Sequence, residues 1–490
     1  MSQRDLDTSE TRPATLRRAK IVCTLGPATS EASAVRALVQ AGMDVARLNF
    51  SHGRLEEHAE RARLVRAAAQ AEGRPVALLQ DLRGPKVRIG AMEPGTVLVT
   101  DAEFALLPGV GSGNASQAYI DDALFFEEVR AGDRLLLADG AIQLEVRSVG
   151  PEGARCRVAG GGPLSSGKGV NVPRGLLRRP VLAEGDHQAI AFGARIGVDL
   201  VGVSYVRSPE DLKTVRRALR EVDASTPLVA KIETAAAIAN LDAILEATDA
   251  VLVARGDLSL ETPFERVPME QKRIIEAARR RGRPVITATQ MLMSMVREPF
   301  PTRAEVNDVA NAVLDGTDAV MLSEETAIGA HPARAVETMA RIVAYTEVSR
   351  TPPLRGAEGL SADLRELGVG AEAAARTARE LRARAVIAWS RGGLAARLLS
   401  RASPGIPIVA PTTSAATARM LTLVRDVTPI ETAGALVDPA AVRRVLGAEP
   451  HDEGNIVVFG HELDGSGRRM AWMRVARLDE PSGWVRDPKV

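Results

Sequence analysis

The sequence predicts an α/β fold: a (β/α)8 TIM barrel with an inserted small β-barrel lid domain and a C-terminal three-layer α/β domain. Three observations predict this architecture. Short β-branched runs alternate with longer amphipathic segments, a stretch rich in glycine turns interrupts that alternation once, and a second alternation follows a break at residues 351–359. The chain has 490 residues, which is enough for several such domains.

Eight short apolar runs are the expected strands of the barrel, which we assign to residues 19–90 and 176–350. The runs are Ile21–Thr24, Val45–Asn49, Val76–Gln80, Leu200–Val203, Leu228–Ile232, Ala250–Ala254, Val285–Ala288 and Ala319–Leu322. Helix-like stretches follow most of them, as parallel strands require. In such barrels the chemistry lies at the C-terminal strand ends, so we expect the functional residues there.

Residues 91–175 have a different character and are the expected lid. Turn signals such as PG, GSGN, AGD and GPEG recur there and separate candidate strands, among them Arg134–Leu137 and Ile142–Val146. An all-β insertion at the active-site end of a barrel would cover the site when it closes.

Residues 358–478 alternate helix and strand afresh and predict a separate α/β domain. Its candidate strands are Ala385–Trp389, Ile408–Ala410, Asn455–Phe459 and Met470–Val475. Residues 1–18 are expected to form a flexible N-terminal tail, and residues 479–490 a C-terminal tail.

Composition excludes several classes of function. The 63 basic and 62 acidic residues leave a net charge of +1, and aromatic residues make up 3%, so neither charge nor stacking favours nucleic acid as a partner. Two cysteines, Cys23 and Cys156, provide neither a disulfide framework nor a zinc cluster. The N-terminus lacks the apolar core of a signal peptide, and no apolar run reaches the roughly 20 residues that span a bilayer. We expect a soluble, cytoplasmic protein.

The first polar segment, GMDVARLNFSHG, lies at the end of the second strand. Arg47 offers a planar guanidinium group suited to phosphate oxygens. Asn49, Ser51 and His52 follow it. A solvated loop with an ordinary N-cap serine would explain the same residues, so both interpretations stay open here.

The second polar segment, QDLRGPKVRIG, begins at the end of the third strand. Asp81 ends that strand, and Lys86 and Arg88 add cations beside it. Mixed charges on an exposed turn are usually only solvated. Here they coincide with the C-terminal end of a barrel strand, which favours a functional site.

Two further segments place carboxylates on the same rim. Lys231 and Glu233 alternate along the fifth strand and therefore point to one face, as a functional pair or as a structural ion pair. Asp257 follows the sixth strand, and two carboxylates with room for water and substrate oxygens are typical of a Mg²⁺ site. Gly256 allows backbone N–H groups to approach an anion.

The longest segment, residues 284–329, predicts one β–loop–α–β unit. Thr289 and Gln290 form a polar turn at the C-terminal end of its first strand, and Ser323 follows its second strand. This position again lies at the rim where a barrel carries its chemistry.

Taken together, these motifs resemble those of the pyruvate kinase family in order and spacing. The resemblance runs from about Lys20 to Val475 and rests on IVCTLGPAT, GMDVARLNFSHG, DLRGPKVRIG, GKGVNVP, AKIET, ARGDL, TATQML and PTRAEVNDVANAVLDGTDAVMLSEETA. It implies transfer of a phosphoryl group from phosphoenolpyruvate to ADP, a barrel A domain, a lid B domain and a regulatory C domain, and usually a homotetramer.

The resemblance also implies roles for individual residues. Glu233 and Asp257 would bind Mg²⁺, for which Mn²⁺ could substitute. Lys231 would neutralise the phosphoryl group and the enolate, and Arg47 would clamp the phosphoryl group. Ala254, Arg255 and Gly256 would bind the substrate carboxylate. Thr289, with Ser323, would bind substrate and relay a proton. Contact with the nucleotide phosphates would come from Asn49, His52 and Arg88.

One departure from the family pattern predicts that potassium is not required. Most members hold K⁺ at the positions of Asn49, Ser51, Asp81 and the carbonyl of Leu82. They carry Thr where this chain has Leu82 and Glu where it has Lys86. A potassium-independent branch has Leu and Lys at those positions, so Lys86 is expected to place its ammonium group where the cation would lie.

Three other residues depart from the family pattern. Glu324 and Ser259 stand at positions where glycine is usual, and Arg178, in the linker that returns from the lid, stands where an acid is usual. The C-terminal loop Trp389–Gly393 has fewer hydroxyl groups than the loop that binds phosphorylated effectors in relatives, although Arg391 could meet a phosphate. A phosphorylated metabolite is therefore a candidate effector at the C domain.

Two alternatives to an active pyruvate kinase remain at this point. A metal-dependent aldolase or lyase acting on a pyruvate-like enolate would also use Glu233 and Asp257. A non-catalytic paralogue that senses metabolites would fit the altered Glu324 position. Turnover that does not depend on ADP would indicate the aldolase or lyase. Substrate binding without turnover would indicate the sensor.

Overall fold

The structure is a computed structural model that describes residues 17–172, 179–349, 353–389, 392–403, 405–432, 438–449, 452–463, 465, 469–480 and 484. Arg178 and Arg391, which the sequence analysis singled out, lie outside these residues. So do residues 1–16 of the expected N-terminal tail.

The last residues of that expected tail are anchored. Arg17 Nη2 lies 2.7 Å from Asp44 Oδ2 and is buried there. At the other end of the chain, Trp484 is buried in the C-terminal domain and donates from Nε1 to the carbonyl of Arg477 at 2.6 Å. The composition of these two segments predicts tails, because the sequence of a short segment does not show that a distant carboxylate or an apolar recess will hold it.

The eight predicted strands form a closed parallel barrel in sequence order, and the first strand pairs with the last. Lys20 lies opposite Ala319, and Cys23 opposite Leu322. The strands are Lys20–Thr24, Val45–Asn49, Ala77–Asp81, Leu200–Val203, Leu228–Ile232, Ala250–Ala254, Val285–Ala288 and Ala319–Leu322. Their apolar runs are buried on both faces, which is why they read as continuous rather than alternating.

Helices surround the barrel. They are Ala32–Ala41, Leu55–Ala71, Glu184–Ile196, Pro209–Glu221, Ala235–Ala239, Leu241–Ala247, Arg255–Glu261, Val267–Arg280, Arg303–Asp315, Glu324–Ala327 and Pro332–Ser349. The helix Arg303–Asp315 shows how sequence sets its ends. Thr302 Oγ1 accepts from the backbone N–H of Glu305 at 3.2 Å, Glu305 Oε2 accepts from that of Thr302 at 2.8 Å, and Gly316 ends the helix with φ 98°.

The interior of the barrel is a packed core and not a channel. Val22, Leu79, Leu252 and Ile286 belong to one cluster of buried side chains, which Leu423 of the C-terminal domain joins. Neighbouring contacts show where this domain meets the barrel: Asp318 Oδ1 accepts from the backbone of Arg425 at 3.1 Å, and Lys20 Nζ donates to the carbonyl of Val427 at 2.6 Å. The C-terminal domain therefore packs at the N-terminal strand ends, and the C-terminal ends face the lid.

The inserted unit has its own core around Phe104, Leu135 and Leu144. Its strands are Ala91–Met92, Val97–Leu98, Glu103–Pro108, Ser112–Gly113, Gln117–Ile120, Arg134–Leu137, Ile142–Gly150, Gly153–Gly160, Gly162–Pro163 and Val170–Asn171, with one helix at Ala123–Glu128. Six of these strands form a curled sheet. Alternate residues of its strands are buried, as expected for a sheet with one face in a core.

The C-terminal domain is a five-stranded sheet with a buried cluster on each face, which gives three layers. In sheet order its strands are Val427–Glu431, Ile408–Thr412, Ala385–Trp389, Asn455–Leu463 and Arg469–Arg477. Its helices are Ala362–Glu380, Leu394–Ala402, Ala415–Leu421 and Pro439–Leu446. Within the described part of the chain, no helix is long and apolar enough to cross a membrane.

Candidate active site

Asp81 lies at the centre of the polar residues at the C-terminal strand ends. Its Oδ2 accepts from Arg47 Nε at 2.7 Å, and Lys231 Nζ lies 3.2 Å from its Oδ1. Burial alone would raise the pKa of Asp81, but the charges of Lys231 and Arg47 outweigh it and the pKa is lowered. Arg47 also donates from Nη1 to Thr24 Oγ1 at 2.9 Å. Asp81 is thus a buried carboxylate that fixes the position of two cations.

Lys231 is held on three sides by oxygen atoms. Its Nζ lies 2.9 Å from Glu233 Oε1 and donates to Ser204 Oγ at 2.8 Å, in addition to its contact with Asp81. Burial would lower the pKa of Lys231, but the charges of Asp81 and Glu233 raise it above its ordinary value. The ammonium group therefore remains charged at neutral pH.

Tyr205 joins the two carboxylates that the sequence analysis assigned to a metal. Its backbone N–H donates to Glu233 Oε2 at 2.6 Å, and its hydroxyl donates to Asp257 Oδ1 at 3.2 Å. Burial raises the pKa of Glu233 despite the charge of Lys231, whereas at Asp257 burial is outweighed by Lys86 and Lys231, which lower its pKa. Glu233 directly follows the strand Leu228–Ile232, and Asp257 lies in the first turn of the helix Arg255–Glu261 after the next strand, so both lie on one rim of the barrel.

The donor set of this pair fits a hard divalent cation. Glu233 and Asp257 offer carboxylate oxygens only, and among the described residues no group of three or more His, Cys, Asp or Glu side chains could hold a metal. A cation here would take its remaining ligands from water and substrate, which is how Mg²⁺ is usually bound. A site for zinc would need more protein ligands, with nitrogen or sulfur among them.

Lys86 reaches the same carboxylate from the segment that leads to the lid. Its Nζ lies 3.1 Å from Asp257 Oδ1 and 3.5 Å from Asp139 Oδ1, a lid residue. Gly169 makes room for it, because a Cβ at that position would overlap the Lys86 side chain. Lys86 thus links the lid to the barrel at the edge of the carboxylate pair.

The region expected to hold a monovalent cation is built from internal hydrogen bonds. Asn49 Oδ1 accepts from the backbone N–H of Ser51 at 3.1 Å, and the carbonyl of Leu82 accepts from Ser204 Oγ at 2.7 Å. Asp81 already holds Arg47 and Lys231. The ion pairs of Lys86 within the described residues are with Asp257 and Asp139, so its ammonium group lies beside a carboxylate that the sequence analysis expects to bind the divalent cation.

Thr289 and Gly256 form a second part of the site. The backbone N–H of Gly256 donates to Thr289 Oγ1 at 2.9 Å. Thr289 and Gln290 both have positive φ, at 70° and 54°, a conformation that non-glycine residues adopt at a cost and that is concentrated at functional sites. Arg255 supports this turn, because its Nη2 donates to the carbonyl of Thr289 at 2.6 Å.

The guanidinium of Arg255 is therefore used within the protein. Its Nη1 also bonds Asp308 Oδ1 at 2.6 Å, and its Nε donates to the carbonyl of Ala288 at 3.1 Å. What residues 254–256 can offer a substrate carboxylate is their backbone. Ala254 itself is buried at the end of its strand.

Ser323 lies where the last strand meets the short helix Glu324–Ala327. Its backbone N–H donates to Glu325 Oε2 at 2.6 Å, and the other oxygen of Glu325 accepts from Leu292 at 3.1 Å. Glu324 is exposed as the first residue of that helix. A glutamate therefore fits this position, although the family usually has glycine there. Ser259 fits too, since its hydroxyl bonds the carbonyl of Gly256 at 2.7 Å.

His52 and Arg88 belong to a cationic region next to the lid. Burial lowers the pKa of His52, and the charges of Arg88, Arg47 and Arg83 lower it further. Arg88 donates from Nη1 to the carbonyl of Gly167 in the lid at 2.9 Å. His52 lies within reach of the charges of Arg88, Arg47, Arg83 and Lys168, and a group of cations of this kind attracts phosphates.

Sequence reasoning missed Ser204 and Tyr205. Both follow the strand Leu200–Val203 directly and contact Lys231, Glu233 or Asp257. Their position at a C-terminal strand end was the signal that could have identified them. Because neither serine nor tyrosine is charged, however, this pair could not be told from an ordinary turn.

The chain matches two family models: pyruvate kinase, barrel domain, over residues 16–336, and pyruvate kinase, alpha/beta domain, over residues 370–461. It is 44% identical over 397 residues to the pyruvate kinase of Mycobacterium tuberculosis (strain CDC 1551 / Oshkosh), covering 80% of this chain and 83% of that protein. The pyruvate kinase of Corynebacterium efficiens is 43% identical over 395 residues, covering 80% and 82%. The crystal structure of a pyruvate kinase from Cryptosporidium parvum superposes with a TM-score of 0.84 at 29% identity, covering 95% of this chain and 97% of that one. With matches of this extent, the chain belongs to the pyruvate kinase family of phosphotransferases.

Proposed function

We propose that this enzyme transfers the phosphoryl group of phosphoenolpyruvate to ADP, giving pyruvate and ATP in glycolysis. The observation that carries the proposal is the convergence of Arg47 and Lys231 with the carboxylates Glu233 and Asp257 at one barrel mouth. Phosphoryl transfer needs positioning and charge neutralisation more than covalent catalysis. These side chains supply both.

Arg47 and Lys231 would contact the phosphoryl group while it is transferred. The bond between phosphorus and the enol oxygen breaks while a bond forms to a terminal phosphate oxygen of ADP. Asp81 holds both cations in a fixed geometry, so little reorganisation accompanies the change in charge. Lys231 would then neutralise the enolate that remains.

Glu233 and Asp257 would hold Mg²⁺, with Mn²⁺ as a substitute. When bound, the cation supplies charge neutralisation at the substrate oxygens. Tyr205 keeps the two carboxylates at a fixed spacing through its backbone and its hydroxyl.

The backbone of residues 254–256 would bind the substrate carboxylate. Thr289, beside Gly256, would bind substrate and pass a proton to the enolate carbon, with Ser323 as its partner. Asn49, His52 and Arg88 would meet the nucleotide phosphates, for which the cationic region next to the lid is suited.

The proposal extends to features that rest on the family. We expect a homotetramer in the cytoplasm and independence from potassium because of Lys86. A phosphorylated metabolite is a candidate effector at the C domain. Lys86 supports the potassium proposal only in part, because its ammonium group lies against Asp257 rather than against Asn49 or Ser51.

The test is pyruvate formation from phosphoenolpyruvate, ADP and Mg²⁺, measured with Lys231→Met and a control, Lys213→Met. Lys213 is an exposed helix residue paired with Glu210, so its loss should leave turnover unchanged. Turnover that depends on ADP and is lost only in Lys231→Met supports the proposal. Turnover without ADP would indicate an aldolase or lyase, and substrate binding without turnover would indicate a sensor.

A further inference from the structure

Four arginines line a cleft between the barrel and the C-terminal domain. Arg279 and Arg283 come from the barrel, and Arg397 and Arg401 from the C-terminal helix Leu394–Ala402. Gly282, Pro284, Asp318, Ser400 and Val424 complete the lining. Arg283 and Asp318 precede barrel strands, so the cleft lies at the N-terminal strand ends, away from the site described above.

Within the described part of the chain, no carboxylate forms an ion pair with these arginines. Among the described residues, no acidic oxygen lies within 4.0 Å of any of the four guanidinium groups. Arg279 donates to the carbonyl of Gly316 at 2.8 Å and to Ser403 Oγ at 2.5 Å, and Arg283 to the carbonyl of Leu245 at 3.1 Å. Neutral oxygens satisfy these N–H groups, and carboxylates such as Asp318 and Asp249 compensate the charges only from beyond ion-pair distance.

Arg401 and Arg397 line the opposite wall of the cleft and likewise form no ion pair with a carboxylate of the described residues. Arg401 donates to the carbonyl of Arg280 at 3.0 Å and to that of Glu358 at 2.5 Å. Arg397 is four residues earlier on the same helix face, and its buried Nε has no hydrogen-bond partner among the residues that the structure describes.

The one carboxylate of the lining, Asp318, compensates Arg279 only in part and from beyond ion-pair distance. Asp318 accepts from the backbone N–H groups of Val285 and Arg425, at 3.0 and 3.1 Å. Burial lowers the pKa of Arg279 to about 10, and it also lowers the pKa of Arg397, where the charge of Arg283 adds to the effect. The folded protein therefore bears an electrostatic cost here that a bound anion would relieve.

We propose that this cleft binds a phosphate-class dianion, either inorganic phosphate or the phosphoryl group of a small metabolite. Its empty volume, open mouth included, is ≈ 280 Å³. This figure includes open solvent at the mouth, through which an anion can reach the guanidinium groups. Guanidinium groups recognise such oxygens through paired N–H bonds. Because the arginines come from two domains, the anion ties the C-terminal domain to the barrel.

The experiment titrates inorganic phosphate into the full-length protein at low ionic strength by calorimetry, with Arg397→Gln, Arg397→Lys and Arg376→Gln. Arg376 is an exposed arginine of the same domain, paired with Glu372, and controls for loss of one positive charge. We expect Arg397→Gln to weaken phosphate binding at this site by about tenfold or more, as loss of a charge-assisted hydrogen bond implies. Arg397→Lys should retain most of the affinity, and Arg376→Gln all of it.

A second readout separates binding from folding. Without phosphate, Arg397→Gln should melt no lower than the wild type, because the variant removes an unpaired charge and no hydrogen bond. Phosphate should raise the melting temperature of the wild type more than that of Arg397→Gln. Equal affinity and equal thermal shifts in all variants would overturn the proposal. Tighter binding of glycerol phosphate than of inorganic phosphate would assign the cleft to a metabolite, and the reverse to the free ion.

Discussion

Lys231 lies on the barrel strand Leu228–Ile232 and Glu233 directly follows it, and their side chains meet with Nζ 2.9 Å from Oε1. The alternation of a strand puts both on its inner face. At this distance the pair would serve both the proposed metal site and the proposed phosphoryl site, since Lys231 also contacts Asp81. One substitution should therefore disturb stability and chemistry together.

Lys231→Met should lower kcat by at least about 10²–10³-fold, the usual cost of losing one preorganised charge at a transition state. It should also destabilise the fold by about 3–5 kcal/mol, because Asp81 and Glu233 lose their buried partner. Steady-state rates and chemical denaturation measure the two effects. Lys213→Met is the control, and an equal loss of activity in both variants would contradict the assignment.

Lys86→Glu should make turnover respond to potassium. The substitution replaces the ammonium group near Asp257 with the residue that most of the family carries, and the added negative charge needs a counter-ion. Rates are compared in potassium-free buffer before and after KCl, with choline chloride to hold ionic strength constant. Wild-type turnover should not respond. Strong potassium stimulation of the wild type would remove Lys86 as an internal cation.

Glu261→Gln should stabilise the protein at neutral and alkaline pH. Burial raises the pKa of Glu261 to about 7. Between the unfolded pKa, about 4.3, and the folded value, the folded state binds the extra proton, so stability falls as pH rises through this window. Above it the wild type bears the full penalty, at most about 4 kcal/mol.

The measurement is the melting temperature of Glu261→Gln and wild type from about pH 4 to pH 8. The difference should be smallest at the acidic end and grow to a plateau. Glu265→Gln, at an exposed residue four positions later, should show no such trend. A difference that does not vary with pH would count against a buried, protonated Glu261.

Thr302→Ala should destabilise the protein by ~1 kcal/mol, the typical value of an N-cap. Thr302 Oγ1 accepts from Glu305 at the start of the helix Arg303–Asp315, and Glu305 also holds Ser294. Thr302→Ser should retain the cap. Thr214→Ala, at an exposed site inside another helix, provides a comparison without a cap, and an equal loss there would contradict the capping argument.

The eight barrel strands were predictable because each is a short apolar run between turns, and parallel barrel strands are buried on both faces. Arg47, Lys231, Glu233 and Asp257 were recognisable for a related reason. Each is a charged residue at the C-terminal end of a strand, and a charge at that place does not contribute to the apolar core. Ser204 and Tyr205 escaped because uncharged residues at such an end look like an ordinary turn.

By itself, the sequence determined the family, the order of the domains and which strand ends carry charge, because these depend on local pattern and on motifs. Tertiary structure alone decided which partner each charge meets. Lys86 lies against Asp257 because a lid segment with glycine at position 169 leaves it room. The four arginines of the lower cleft come from segments more than a hundred residues apart in the chain. Coulomb energy and burial depend on distance in space, which a linear pattern does not contain.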